Sequence, residues 1–178
     1  QHHFGYGIVK SSNDFGKLGT QPTHLKLLDW LAHEFVNNQW RIKSLHKTIM
    51  MSNTYQMSAE ANEAALVVDP LNNLFWRFNM RRLNDEEIRD SVLSVTGNLR
   101  RKLGGPSVFP ELPEEVLATS SQPTRVWGKS PPEEANRRSV YIKVKRSLLV
   151  PILNQFDMAN TDSTCAVRFM TMVPTQSL

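Results

Sequence analysis

Asn84-Asp85-Glu86-Glu87-Ile88-Arg89-Asp90-Ser91-Val92-Leu93-Ser94-Val95-Thr96-Gly97-Asn98-Leu99-Arg100-Arg101-Lys102-Leu103 is the stretch from which the fold is read. Asn84 followed three residues later by Glu87 has the form of a capping box. Asp85, Glu86 and Glu87 put negative charge at the positive end of the helix dipole, and Arg100, Arg101 and Lys102 put positive charge at the other end. Ile88, Val92, Val95, Leu99 and Leu103 recur on one face. Gly104-Gly105-Pro106 then stops the run. The spacing predicts one long capped helix over 84–103.

Upstream, Thr23 after Pro22 can cap a helix over 23–37, with Leu28, Leu31 and Phe35 at helical spacing beside Trp30 and Ala32. Ile42, Leu45, Ile49 and Met50 form the stripe of a second helix over 42–57. The connection between them is short, so the two are expected to pack as a hairpin pinned by Trp40. The Ala-rich 59–66 reads as a short helix, and Asp69-Pro70-Leu71-Asn72-Asn73 as a turn cluster. Residues 1–22 are loop-like, broken by Gly5, Gly7, Gly16 and Gly19.

Downstream, 105–137 carries six prolines and reads as a long connection docked by Trp127. Val140, Ile142 and Val144 alternate with Tyr141, Lys143 and Lys145, which predicts a strand over 138–146. Ser147 to Phe156 follows as a short helix with Pro151 in its first turn, and 166–173 as a second strand. The expected fold is mainly α: a helical hairpin plus one long capped helix, with a small two-stranded β element. The stripes along 23–57 and 84–103 are expected to bury against each other.

With 178 residues, 40% of them apolar, the chain has the size and composition of a single folded domain over 1–178. A net charge of +4 is spread over small groups rather than gathered on one element, which argues against a nucleic-acid footprint. One cysteine, Cys165, excludes an intrachain disulfide and any Cys-based zinc or haem-attachment motif. No stretch approaches a membrane span. Beginning at Gln1 and closing on Gln176-Ser177-Leu178, the chain reads as a fragment of a larger multidomain protein.

Several runs occur in order along nearly the whole chain. They are Gln1-His2-His3-Phe4-Gly5-Tyr6-Gly7-Ile8-Val9, Asn13-Asp14-Phe15-Gly16, Pro22-Thr23-His24, Leu27-Leu28-Asp29-Trp30-Leu31-Ala32 and Ile49-Met50-Met51-Ser52-Asn53-Thr54-Tyr55. Arg81-Arg82-Leu83, Ile88-Arg89-Asp90-Ser91, Gly104-Gly105-Pro106 and Arg137-Arg138-Ser139-Val140-Tyr141 follow. Together they resemble the C-terminal domain of unknown function of planctomycete cytochrome c-associated surface proteins. Leu25 stands where that family commonly has proline, and the closing Met172–Leu178 run matches its pattern only loosely. The resemblance implies an exported parent, periplasmic or at the cell surface, with haem c held elsewhere in it. It brings no catalytic residues.

His2, His3 and Asp14 with His24 are the nearest approach to a metal set, but adjacent histidines diverge in most backbones and no H-x-x-x-H spacing is present. No cofactor is expected in this domain. Ser139 lacks a nucleophile elbow, and Cys165 reads as a small core residue. His33 and His46 read as partly exposed. Arg82, Arg89 and Asp90 read as a structural ion-pair network, with Arg82 against Asp90. Arg138, Tyr141, Lys143, Lys145 and Arg146, with Trp127, form the expected ligand-binding set, because a basic strand with an aromatic ring suits anionic or sugar ligands. The functional expectation is a non-catalytic structural or interaction module that meets other domains of its parent, a partner or a polysaccharide. The rival is an enzyme, a hydrolase or oxidoreductase component, with a site formed by loops 1–22 and 105–137 around His2, Asp14 and Arg138.

Overall fold

The computed structural model describes residues 1–119 and 127–176. The protein is mainly helical, as the periodicities require. Its helices are α1 Leu25–Asn37, α2 Ile42–Met50, α3 Glu63–Val68, α4 Asp85–Val95, α5 Glu114–Ala118, α6 Pro132–Ala135 and α7 Pro151–Gln155. Short 3-10 turns occupy Ser139–Tyr141 and Pro174–Gln176. The chain divides into two compact units, Gln1–Arg81 and Arg82–Leu178.

In the first unit α1 packs against α2 as the hairpin that the short connection demands. Gln39 (φ 56°) and Trp40 (φ 60°) reverse the chain in two consecutive left-handed residues. That conformation is costly for side chains with a Cβ. Trp40 meets it by packing edge-on against Phe35, with ring centroids 5.3 Å apart.

The Asp69–Asn73 turn is knitted by its own polar groups. Asp69 accepts from the Asn73 and Leu74 amides at 2.9 and 2.8 Å. The buried Asn72 donates to the Arg77 carbonyl at 2.8 Å and to Asn79 Oδ1 at 3.0 Å. Phe4 gathers Tyr55, Phe75 and Phe78 around it at 5.0–6.1 Å.

The helical stripes do not bury as expected. Among the described residues neither α1 nor α2 holds a fully buried side chain: Leu28, Leu31, Phe35, Leu45 and Ile49 of the stripes are half-buried, and Trp30, Ile42 and Met50 are exposed. The interior of this unit is supplied by aromatic rings from the loops, which leaves the apolar helix faces partly uncovered.

The second unit holds the apolar core, made of Val108, Leu112, Trp127, Ile142, Leu148, Val150 and Leu153. The chain at 108 runs beside 142 through a single parallel bridge: Val108 N donates to the Tyr141 carbonyl at 2.8 Å, and Lys143 N to the Val108 carbonyl at 2.9 Å. Helix α4 packs on α7 and on the 139–141 turn.

The capping box at Asn84 forms, and Glu87 accepts the Asn84 amide proton at 2.8 Å. The helix nevertheless ends at Val95 rather than at 103. Gly97 takes φ +73°, and Asn98 N reaches back to the Leu93 carbonyl at 2.8 Å, a Schellman closure.

The strand expected over 138–146 is instead a 3-10 turn followed by irregular chain, and among the described residues β structure is confined to isolated bridges. Tyr141 N donates to the Arg138 carbonyl and Ile142 N to the Ser139 carbonyl, local bonds that displace a ladder. The second expected strand, 166–173, also remains irregular, with Thr171 N bonded to Asp157 Oδ2 at 2.8 Å.

Candidate functional site

Two features of the second unit bear on function: a buried polar network and a cleft beside it.

The network begins on α4. Arg89 and Asp90 are adjacent, so they leave the helix at neighbouring angles and both reach the 135–139 segment. Arg89 donates to the Arg137 and Ala135 carbonyls, both at 3.0 Å, and to Ser139 Oγ at 3.2 Å. Asp90 accepts from the Ser139 amide at 2.7 Å and from its hydroxyl at 2.8 Å. The exposed Arg138 reaches Asp90 only at 3.4 Å.

Arg137 is fully buried. It donates to the carbonyls of Lys102, Gly104 and Pro106. Its guanidinium lies 3.9 Å from the Tyr141 ring centroid and 3.5 Å from Glu134. Gly104 (φ +72°) and Gly105 (φ +88°) make the turn that brings these carbonyls inward. Both terminal nitrogens of this buried charge are bonded, which makes its burial tolerable, while Nε has no partner among the described residues.

At the start of α4, Arg168 spans Asp85 and Glu86 at 2.5 Å from each. Burial, with the Glu86 carboxylate alongside, raises the Asp85 carboxyl to about 7. Burial also works against ionisation of Glu86, but its bonds with Arg168 outweigh this and hold it at about 2. Arg82 pairs with Asp157 at 2.5 Å.

The sequence-derived ligand set is dispersed. Tyr141 lies under Arg137, and its hydroxyl accepts from the Gly104 amide at 2.9 Å. Lys143 and Arg146 are exposed, Lys145 is half-buried, and Arg146 stands 3.7 Å from Asp162. Loss of the strand removes the alternation that would have put them on one face.

Trp127 is buried, and its indole N–H donates to the Pro110 carbonyl at 2.8 Å. His2, Asp14 and His24 lie in the first unit and do not form a cluster: His2 is exposed, Asp14 caps the Gly16 amide at 2.8 Å, and His24 bonds Thr23 Oγ1. Among the described residues no group of three or more metal-ligating side chains gathers. Cys165 is exposed, not in the core, because the chain around it is irregular and superficial.

The cleft has a volume of about 700 Å³. Phe109, Leu112 and Trp127 form its apolar wall with Pro110, and Glu111, Glu114, Lys129 and Asn136 supply polar groups. The Phe109 and Trp127 rings meet edge to face at 5.3 Å, and Ser130 Oγ accepts the Phe109 amide proton. Gly128 runs against the face of Phe109, where a Cβ would come within 3.0 Å. The size and lining suit a small organic ligand.

Sequence reasoning singled out Trp127 but none of the residues around it. Helices α5 and α6, which flank the cleft, both open with proline followed by two acids, Pro113-Glu114-Glu115 and Pro132-Glu133-Glu134, a helix-start signal inside the proline-rich connection.

These observations define a helical domain whose motif residues are spent largely on its own backbone. The chain belongs to the PSD1 family, described as a protein of unknown function (DUF1553), which it matches over residues 1–178. No curated protein and no solved structure matches it.

Proposed function

We propose that this chain is a non-catalytic interaction module of an exported, cytochrome c-associated protein, and that its second unit binds a polysaccharide segment in the Phe109–Trp127 cleft. The observation that carries this reading is the division of labour among its side chains. Arg89, Asp90, Arg137 and Ser139 are engaged with one another and with backbone, while a large cleft of this unit has an apolar wall and is rimmed by Glu111, Glu114, Lys129 and Asn136. An apolar wall with a hydrogen-bonding rim is what a sugar, apolar on its C–H faces and polar at its edge, requires.

The second unit contains no histidine, so a serine–histidine couple does not arise within it. The partly uncovered apolar face of α1 and α2 supports packing against other domains of the parent, where haem c would reside.

Affinity electrophoresis of the chain through gels containing neutral and anionic polysaccharides tests the assignment. Retardation by one of them is expected, reduced about tenfold in affinity by Glu114→Ala or Lys129→Ala, equivalent to about 1.4 kcal/mol. No retardation, or retardation indifferent to both substitutions, contradicts it.

A further inference from the structure

We propose that His3 and His46, in the first unit, form a two-imidazole site for a divalent transition-metal ion. The two residues are far apart in sequence, yet His46 Nδ1 and His3 Nε2 stand 3.1 Å apart, with ring centroids 4.9 Å apart and planes inclined by 40°. A straight N–H···N bond of that length, with a ring radius of about 1.15 Å on each side, would separate the centroids by about 5.4 Å. The rings are closer than that, so their axes are inclined to the line joining the facing nitrogens. Two imidazole nitrogens bound to one ion at ~2.0–2.1 Å, with an angle of about 100° between them, stand about 3.1 Å apart with centroids about 4.8 Å apart. The observed pair has both of these separations.

The surroundings fit a metal-binding imidazole. Tyr55 packs edge-on against the His3 ring at 6.0 Å and fixes its orientation. His46 is exposed on α2, which leaves a path for the ion. Burial, followed by the fields of His46, His2 and Arg81, lowers the proton affinity of His3 and favours the neutral form that metals require. Those same groups are the charged and titratable neighbours of the site. Imidazole donors select zinc, copper or nickel, and water or an added ligand fills the remaining positions. An ion held here ties the 1–9 loop to α2 across the hairpin. The site lies in the other unit from the cleft and does not depend on the polysaccharide reading.

Calorimetric titration of the full chain with zinc chloride at pH 7.5 tests the proposal. One zinc per chain is expected to bind in the micromolar range. Affinity is expected to fall at least about tenfold in His3→Gln and in His46→Gln, and to be unchanged in His33→Gln, whose side chain is exposed on α1. His46 is exposed, so far-UV circular dichroism of His46→Gln is expected to match the parent chain and to separate ligand loss from unfolding. Zinc affinity unchanged by His46→Gln, or no saturable binding below millimolar zinc, overturns it.

Discussion

At the scale of single residues, the adjacent arginines 137 and 138 carry the plainest lesson. Their types are identical, yet Arg137 is wholly buried and Arg138 is 54% exposed. The sequence marks the pair as notable but cannot say which member turns inward, because that depends on the 3-10 turn at Ser139–Tyr141, fixed by a carboxylate 49 residues away. Arg137→Met would strand three carbonyls, and it is expected to cost about 3 kcal/mol or more in urea unfolding. Arg138→Ala is expected to cost less than about 1 kcal/mol, as for an exposed ion pair.

Asp85 gives a pH prediction. Its carboxyl is raised to about 7 in the folded chain, so the folded state holds a proton that the unfolded state has lost. Its contribution is therefore fully present below its ordinary value near 4 and disappears as pH rises through 7. Stability of Asp85→Asn, followed by urea midpoint from pH 4.5 to 7.5, is expected to fall less with rising pH than that of the parent chain. Parallel curves contradict the assignment. Glu86 acts in the opposite sense, with stability present above its ordinary range and lost as pH falls toward about 2.

At the scale of elements, two helix starts were legible where one stop was not. The Asn84/Glu87 box and Pro151 in the first turn of α7 mark helix beginnings where the structure has them. The end of α4 was misplaced because the apolar period continues through Leu99 and Leu103, and Gly97 reads as one more helical residue until its left-handed φ is known. A Cβ at Gly97 meets nothing within 4 Å, so Gly97→Ala isolates the conformational term. It is expected to cost about 1 kcal/mol, read as a lowered thermal midpoint. Asn84→Ala is expected to cost about 1 kcal/mol through the lost cap. The alternation at 138–146 misled for a different reason: period-two spacing records which side chains are apolar, and the local bonds around Ser139 decide the backbone.

At the scale of the whole molecule, the helical class followed from periodicity, and the core did not. Its members, Val108, Leu112, Trp127, Ile142, Leu148, Val150 and Leu153, come mostly from segments without helical period, and no local pattern joins them. The cleft was illegible for the same reason, since its wall is assembled from both ends of the proline-rich connection. The motif residues that most resemble catalytic chemistry, Arg89, Asp90, Arg137 and Ser139, are accounted for as internal supports of the second unit. Equilibrium urea unfolding of Asp90→Ala tests that account most directly. Loss of the acceptor for the Ser139 amide and hydroxyl is expected to lower stability by about 2–3 kcal/mol. Stability within about 0.5 kcal/mol of the parent chain would contradict it and return these groups to the candidates for chemistry.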